Sequence, residues 1–364
     1  MSVYRHVTPL IVILLLTVLF VGAVTIHQTK DTAASVPLEG AAMKYKGIAY
    51  LSNKPNDYAS AGSNSSLNAI KSTGANYVAV IVTWGMDTCT SNTVHPVSGF
   101  TPTDAAVIDA INDVHARGMG VMLKMQAPCS ARNNVEPTNK SAWFASYATF
   151  INHYAQIAQD NGVELFCIGN ELNVIDTSNY SNWATIITGV RAIFSGPLTY
   201  AAAEWSDSYR QVPFWGLLDY VGINAYFPLS GAQTPSVADL VTGWSSYNVS
   251  GTVRNWTQEI ETLQATVDKP VIFTEIGYRS MDYAAEGLSN NHYNGLGQAN
   301  CYEAALRVFA NKPWFAGMFW WGWSPDPKAG GAGNTDYTPQ NKPAQSVLTD
   351  EWLPSSVFSL PYAY

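Results

Sequence analysis

Short apolar runs alternate with helix-like stretches eight times along this chain of 364 residues, and this alternation most restricts the folds it can adopt. Parallel strands joined by helices produce such a pattern, because a crossover must return the chain to the same end of the sheet before each new strand. The predicted strands are residues 47–51, 77–84, 120–124, 163–171, 198–204, 218–226, 271–275 and 315–323. The pattern predicts an α/β fold, a closed (β/α)8 TIM barrel, as a single domain over residues 44–364.

Helical periodicity fills the stretches between these strands, and Gly or Asn-Gly closes several of the predicted helices. The predicted helices are residues 63–73, 103–117, 141–160, 182–194, 252–267, 298–311 and 342–348. A doubly wound open sheet is the main alternative. That fold normally places a glycine-rich phosphate loop after its first strand, and no such loop follows residues 47–51.

Composition limits the partners of the chain. Apolar residues make up 47% of it, enough for a sizeable core, while charged residues make up only 13% and the formal net charge is −8. Nucleic-acid binding is not expected, because neutralising phosphates needs clustered Lys and Arg. The 12 Trp and 20 Tyr residues exceed what a core needs, so some are expected to line a groove, where flat rings fit the C–H faces of sugars.

The N-terminal segment has the pattern of a targeting sequence. Residues 10–24 are almost entirely apolar and follow a weakly basic start. This run is shorter than the roughly 20 residues of a spanning helix and is typical of a signal peptide, with a retained membrane anchor as the alternative. We therefore interpret residues 1–24 as a signal peptide or membrane anchor and residues 25–43 as a linker. Either interpretation predicts a secreted or extracellular protein, which is membrane-anchored if the segment is retained.

The four cysteines fit no zinc pattern, and the six histidines show no paired metal spacing, so no metal or organic cofactor is expected. Cys89 and Cys129 fall in loops after the second and third predicted strands. These loops are neighbours in a barrel, so a disulfide between the two cysteines is plausible in an oxidising compartment. Cys167 lies within an apolar strand and is expected to be a buried thiol.

Two predicted strands end in glutamate. Glu171 closes the fourth strand and Glu275 lies at the end of the seventh. A single glutamate at such a position is compatible with a charge on the rim, but two strand tips three strands apart converge across the mouth of a barrel. Cleavage of a glycosidic bond needs two carboxyl groups, one to protonate the leaving oxygen and one to stabilise or attack the anomeric carbon.

The residues around both glutamates resemble the signatures of clan A retaining glycosidases. The motifs are Gly-Asn-Glu at 169–171 and Thr-Glu-Ile-Gly-Tyr at 274–278. Within that clan the chain is most similar to glycoside hydrolase family 113, the β-1,4-mannanases. The similar segments are Phe-Thr-Glu-Ile-Gly-Tyr-Arg-Ser at 273–280, Trp-Gly-Trp-Ser-Pro-Asp-Pro at 321–327, Asp-Tyr-Thr-Pro at 336–339 and Lys-Pro-Ala at 342–344.

The resemblance implies roles for individual residues. Glu171 would be the general acid/base and Glu275 the nucleophile, with carboxyl groups about 5–5.5 Å apart. Asn170 would hydrogen-bond the sugar 2-hydroxyl. Tyr226, at the end of the sixth predicted strand, would orient the nucleophile; a rim aromatic is the alternative. Trp321 or Trp323 would form the floor beside the cleaved bond, because strand alternation lets both face one side.

One position departs from the clan pattern. Many members carry an arginine near the tip of the second strand, where this chain has Thr83 and Trp84. We include Trp84 among the candidate substrate-binding residues. Lys124, on the third strand, could supply the missing positive charge, or it could be a solvated rim lysine. Glu204, at the end of the fifth predicted strand, and the adjacent Trp205 are interpreted as substrate-binding residues; a rim charge is the alternative for Glu204.

The sequence therefore predicts a retaining, endo-acting glycoside hydrolase that cleaves β-1,4-mannosidic bonds of a polysaccharide or oligosaccharide. One alternative is the same mechanism on another β-linked glycan, such as glucan or galactan. The other is a non-catalytic sugar-binding barrel, which the presence of both Glu171 and Glu275 opposes.

Overall fold

The central feature is a closed ring of parallel strands. The computed structural model describes residues 43–129, 134–288 and 290–353. Within these ranges eight strands each pair with the next, and the eighth pairs with the first, so the predicted (β/α)8 barrel is confirmed. The strands are β1 (Tyr45–Tyr50), β2 (Tyr77–Gly85), β3 (Gly120–Gln126), β4 (Leu165–Asn170), β5 (Leu198–Ala203), β6 (Val221–Asn224), β7 (Val271–Ile276) and β8 (Phe315–Trp323).

The strands are connected mainly by helices. These are α1 (Ala61–Ser72), α2 (Asp104–Ala116), α3 (Lys140–Asp160), α4 (Tyr180–Ile193), α5 (Ser208–Gln211), α6 (Val237–Ser245), α7 (Trp256–Val267), α8 (Gly295–Phe309) and α9 (Pro343–Trp352). A short antiparallel pair joins the end of β2 to residues His95–Pro96. Another joins Tyr247–Val249 to Thr252–Arg254.

The segment between β6 and β7 differs from the prediction. The helix expected from residue 252 begins at Trp256, because Thr252–Arg254 pairs as a strand. Asn255 starts the helix by accepting a hydrogen bond from the backbone N–H of Gln258. Helix α6 was not predicted. It is nine residues long and begins with a capping box between Ser236 and Asp239.

Strand alternation divides the core into two parts. Inward side chains fill the barrel, and they include Tyr45, Ala79, Ile81, Met122 and Phe319. Outward side chains pack against the helices in a larger aromatic-rich layer. The barrel interior is therefore a packed core, as is usual for this fold, and the open space lies at the carboxyl ends of the strands.

The structure joins Cys89 and Cys129 by a disulfide, as the sequence analysis anticipated. Their loops follow β2 and β3, which are neighbouring strands. Cys167 is buried in the barrel interior and Cys301 is buried on α8.

The predicted signal peptide or anchor, residues 1–24, lies outside the described residues, as does the predicted linker up to residue 42. Both therefore remain predictions. In the part of the chain that the structure does describe, none of the helices combines the length and apolar character needed to span a bilayer.

Gly222, on β6, tests the packing of the barrel. A Cβ added there would lie 2.1 Å from the Tyr200 carbonyl oxygen and 2.6 Å from Thr199 Oγ1. Backbone cannot move aside cheaply, so we expect Gly222→Ala to lower the free energy of unfolding by about 1–3 kcal/mol. Gly216→Ala is the matched control, because an added Cβ there meets nothing within 4 Å. Thermal unfolding measures both; equal melting temperatures for the two variants would contradict the packing argument.

Candidate active site

A cleft lies at the carboxyl ends of the strands and contains most of the predicted site residues. Its volume is about 390 Å³. The residues that line it are Gln126, Asn170, Glu171, Glu204, Trp205, Tyr226, Glu275, Trp321 and Tyr337. Lys124 lies directly below it, buried in the barrel. Residues from β3, β4, β7 and β8 and from the segments after β4, β5, β6 and β8 thus meet in one place.

Glu275 is held by three side chains. Lys124 Nζ lies 2.5 Å from Oε1, and Gln126 Nε2 donates to the same oxygen at 3.4 Å. The Tyr226 hydroxyl donates to Oε2 at 2.6 Å. Only 4% of Glu275 is exposed and Lys124 is fully buried, so the pair is screened little by water. The Glu275 carboxyl group therefore has a cation and two hydrogen-bond donors as its partners.

The contact between Lys124 and Glu275 concerns the position on the second strand where this chain lacks the arginine of many clan members. Thr83, near the tip of β2, donates a hydrogen bond to Gln126 Oε1 at 3.3 Å. Lys124 is inward-facing on the neighbouring strand and reaches Glu275 instead. Its Nζ also donates to Asn224 Oδ1 and to the Thr274 carbonyl, both at 3.3 Å. The alternative of a solvated rim lysine is wrong, because this side chain is entirely enclosed.

Glu171 has the opposite environment. Burial raises the pKa of its carboxyl to about 7, and the negative charge of Glu275 adds to the rise. A hydrogen bond from Asn224 Nδ2 to Oε1, 2.7 Å long, opposes it. A carboxyl group with this pKa can carry a proton near neutral pH and release it during a reaction.

Local backbone structure directs Glu171 into the cleft. The residue follows β4 with φ of 48°, in the left-handed region that costs a non-glycine residue about 1–2 kcal/mol. The turn is secured by the buried Tyr200 on β5. Its hydroxyl accepts from the Leu172 N–H at 2.9 Å and donates to Asp176 Oδ2 at 2.6 Å. These contacts maintain a conformation that the sequence near Glu171 does not favour by itself.

Asn224 connects the two carboxyl groups and was missed by the sequence analysis. Its Nδ2 donates to Glu171 and, at 2.9 Å, to Asn170 Oδ1. Its Oδ1 accepts from Lys124 and from Thr274 Oγ1. The available signal was its position two residues before Tyr226, which lies in the same cleft.

Gln126 and Tyr337 were also missed. Gln126 is two residues after Lys124 on β3 and therefore shares its inward face. Tyr337 lies in the segment between β8 and α9, and its ring packs edge-on against Tyr226 with centroids 5.6 Å apart. In the sequence, Tyr337 was indicated only by its position in the motif at residues 336–339.

Trp84 does not belong to the site. It follows Val78, Val80 and Val82 on the outward face of β2 and stacks on Phe150 of α3 with centroids 4.7 Å apart. The prediction was wrong because the period of two in a strand assigns residue 84 to the helix-facing side.

Trp321 lines the cleft, but Trp323 does not, so the prediction for Trp323 was wrong. Trp323 is fully buried outside the barrel and donates from Nε1 to Ser66 Oγ on α1 at 2.8 Å. The pairing of β1 with β8 shifts by one residue between Ile48 and Tyr50. This irregularity breaks the alternation, so the two tryptophans face opposite sides although they are two residues apart.

Comparison with known proteins identifies the family. The model of Glycoside Hydrolase Family 113 matches residues 49–342. The chain belongs to glycoside hydrolase family 113. It is therefore a glycoside hydrolase, and the alternative of a non-catalytic sugar-binding barrel is set aside. A comparison with curated proteins finds none that matches.

Solved structures of the family share the fold. A family 113 β-1,4-mannanase, solved as a complex, is 23% identical with a TM-score of 0.72, covering 85% of this chain and 98% of its own. A family 113 β-mannanase from Alicyclobacillus acidocaldarius is 21% identical with a TM-score of 0.73, covering 86% and 98%. A β-glucuronidase from Faecalibacterium prausnitzii is 16% identical with a TM-score of 0.58, covering 85% of this chain and 49% of its own. At these identities the likeness shows the barrel alone.

Metal ligands are not grouped in the residues described here, where no set of three or more His, Cys, Asp or Glu side chains could hold an ion. The carboxyl groups of the cleft are instead surrounded by Lys124, amides and tyrosines, which are partners suited to proton transfer and to binding hydroxyl groups.

The raised pKa of Glu171 predicts an alkaline limit to activity. Its pKa is about 7, so the acid form is lost as pH rises through that value. We expect kcat/KM on an oligosaccharide to fall by about tenfold per pH unit above the limit. For a nitrophenyl glycoside, whose leaving group needs little protonation, the fall should be smaller. An alkaline limb between about pH 4 and 5, as for an ordinary glutamate, would contradict this assignment.

Removing the charge of Lys124 should affect both stability and activity. Lys124→Met leaves Glu275 buried without its cation, a change that typically costs about 3–5 kcal/mol. We expect a folded Lys124→Met enzyme to lose at least about tenfold in kcat/KM, because the buried Glu275 carboxyl group no longer has the cation that pairs with it. Lys71→Met, at an exposed position on α1, is the control. An unchanged kcat/KM in a folded Lys124→Met enzyme would show that the ion pair is not needed for activity.

Proposed function

We propose that this family 113 enzyme cleaves β-1,4-mannosidic bonds within mannan-type chains and retains the anomeric configuration by double displacement. The observation that carries the proposal is the contrast between two carboxyl groups in one cleft. Glu275 is paired with Lys124, whereas burial raises the pKa of Glu171 to about 7. A retaining glycosidase needs these two states at the start of its reaction.

In the first step, Glu275 attacks the anomeric carbon and Glu171 gives its proton to the departing oxygen. The glycosidic C–O bond breaks and a glycosyl ester to Glu275 forms. Asn170 faces the cleft with its Oδ1 already bonded to Asn224, which leaves its NH₂ group to donate to the sugar 2-hydroxyl. Tyr226 keeps the attacking carboxylate oriented through its hydrogen bond to Oε2.

In the second step, Glu171, now ionised, accepts a proton from a water molecule. The resulting hydroxide attacks the anomeric carbon, the ester bond to Glu275 breaks, and Glu275 returns to its carboxylate form. Two inversions at the same carbon give net retention. Both enzyme groups end in their starting protonation states.

The choice of mannan rests on the solved structures of family 113, which are β-mannanases. Internal cleavage is supported by the shape of the site. A second cavity of about 200 Å³ shares Trp321 and Tyr337 with the cleft. A chain of several sugars could therefore extend past Trp321 in this direction. The aromatic rings supply flat faces for the sugar C–H groups.

The decisive experiment compares wild type with Glu275→Gln on dyed mannan, cellulose and galactan. We expect wild type to release dye from mannan, and we expect the variant to be inactive because an amide cannot form the glycosyl ester. NMR of the first product should show the β-anomer. Release from cellulose or galactan alone would favour the alternative substrates, and an α-anomer would exclude retention.

We also propose that the enzyme acts outside the cytoplasm, through residues 1–24 as a signal peptide or membrane anchor. The Cys89–Cys129 disulfide supports this, because disulfides persist in oxidising compartments. Cell fractionation with an antibody against the barrel tests it, and enzyme confined to the cytoplasm would contradict it.

A further inference from the structure

A third carboxyl group lies in the cleft and takes no part in the double displacement. Glu204 directly follows β5, the strand that pairs with β4 and hence with the strand leading to Glu171. Its carboxyl group lines the cleft together with Trp205. The oxygen Oε2 is buried and has no hydrogen-bond partner among the described residues.

An unpartnered oxygen in this position is costly unless something binds to it. A buried acceptor without a partner has lost its hydration and gained no hydrogen bond in return. The part of the chain that the structure describes places no donor on this oxygen, and the cleft in front of it is the space that substrate would occupy. A hydroxyl group of the substrate is the natural partner, because it can both donate and accept.

The protonation state of Glu204 suits a neutral sugar. Burial raises the pKa of its carboxyl to about 8, and the charge of Glu171 adds more to the rise than that of Glu275 does. The backbone N–H groups of Glu204 and Trp205 act in the opposite direction. The charge of Glu204 also contributes to the raised pKa values of Tyr278 and Tyr337. Near neutral pH the Glu204 carboxyl group is therefore protonated and can donate as well as accept a hydrogen bond.

The neighbour of Glu204 indicates which sugar it meets. Glu171 gives its proton to the oxygen that stays with the departing sugar, so that sugar must lie on the Glu171 side of the broken bond. Glu275 and Trp321 mark the other side, where the ring that becomes attached to the enzyme sits above the nucleophile. Glu204 and Trp205 follow β5, which is the neighbour of β4 and lies two strands from β7, so they stand on the Glu171 side of the cleft.

We propose that Glu204 and Trp205 form the subsite for the departing sugar, with the Glu204 carboxyl group hydrogen-bonded to one of its hydroxyls and the Trp205 ring against its C–H face. The inference rests on the proposed glycoside cleavage and adds the contact that selects the leaving group. The same subsite would receive an incoming sugar in the second step. Glu204 therefore also influences how often a sugar hydroxyl replaces water as the acceptor.

The test separates leaving-group binding from the chemical step. Two substrates of the same sugar are compared, an oligosaccharide that loses a sugar and a nitrophenyl glycoside that loses a group without hydroxyls. For Glu204→Ala we expect the fall in kcat/KM on the oligosaccharide to exceed the fall on the nitrophenyl glycoside by about ten- to a hundredfold. Glu204→Gln keeps the shape of the side chain and a hydrogen-bond donor, so most of the extra loss on the oligosaccharide should be absent in this variant. Transfer to added oligosaccharide should fall in parallel in Glu204→Ala.

Equal losses on the two substrates, or no loss on either, would overturn the subsite assignment. Melting temperatures of both variants show whether the fold is retained, and comparing the two substrates in one variant removes any shared effect of misfolding. Both substrates are made from the sugar whose glycosides wild type hydrolyses, chosen from mannose, glucose and galactose. If wild type hydrolyses glucosides or galactosides but no mannosides, the mannan proposal fails. The proposal for Glu204 is tested separately, by the ratio of kcat/KM on the two substrates.

Discussion

The buried ion pair between Lys124 and Glu275 is the interaction on which the rest of the site depends. Two charges removed from water are tolerated only when they are close and otherwise hydrogen-bonded. Here Nζ and Oε1 are 2.5 Å apart, and Gln126, Tyr226 and Asn224 complete their contacts. The pair lies at the base of the cleft, where the negative charge of Glu275 acts on Glu171.

Burial and this charge together distinguish Glu171 from Glu275. The Glu171 carboxyl group accepts a hydrogen bond from the amide of Asn224, whereas Glu275 is paired with Lys124. Burial raises the pKa of Glu171, and the nearby charge of Glu275 raises it further. One lysine paired with one glutamate makes two residues of the same type different, as the proposed nucleophile and acid require. Burial raises the pKa of Glu204 as it does that of Glu171.

Much of the fold could be predicted because its signals are local. Alternating apolar residues identified the strands, helical periodicity identified most helices, and the glutamates at the ends of two strands indicated the open end of the barrel. The segment between β6 and β7 was less predictable. Thr252–Arg254 acquires its strand conformation from a partner strand, and α6 is a short helix whose Thr and Gly residues give it a weak signal.

The sequence by itself determined which residue types stand at the strand tips and, through the period of two, which face of a regular strand each belongs to. Only the tertiary structure decided the faces where that period breaks. Register shifts at the ends of β4 and β7 turn Asn170 and Glu275 into the cleft. A shift in the pairing of β8 turns Trp323 out of it, whereas Trp321 keeps the inward face of Phe319. It also decided that Lys124 meets Glu275, 151 residues away. Such contacts depend on the closure of the barrel, because only closure brings distant strands to one axis.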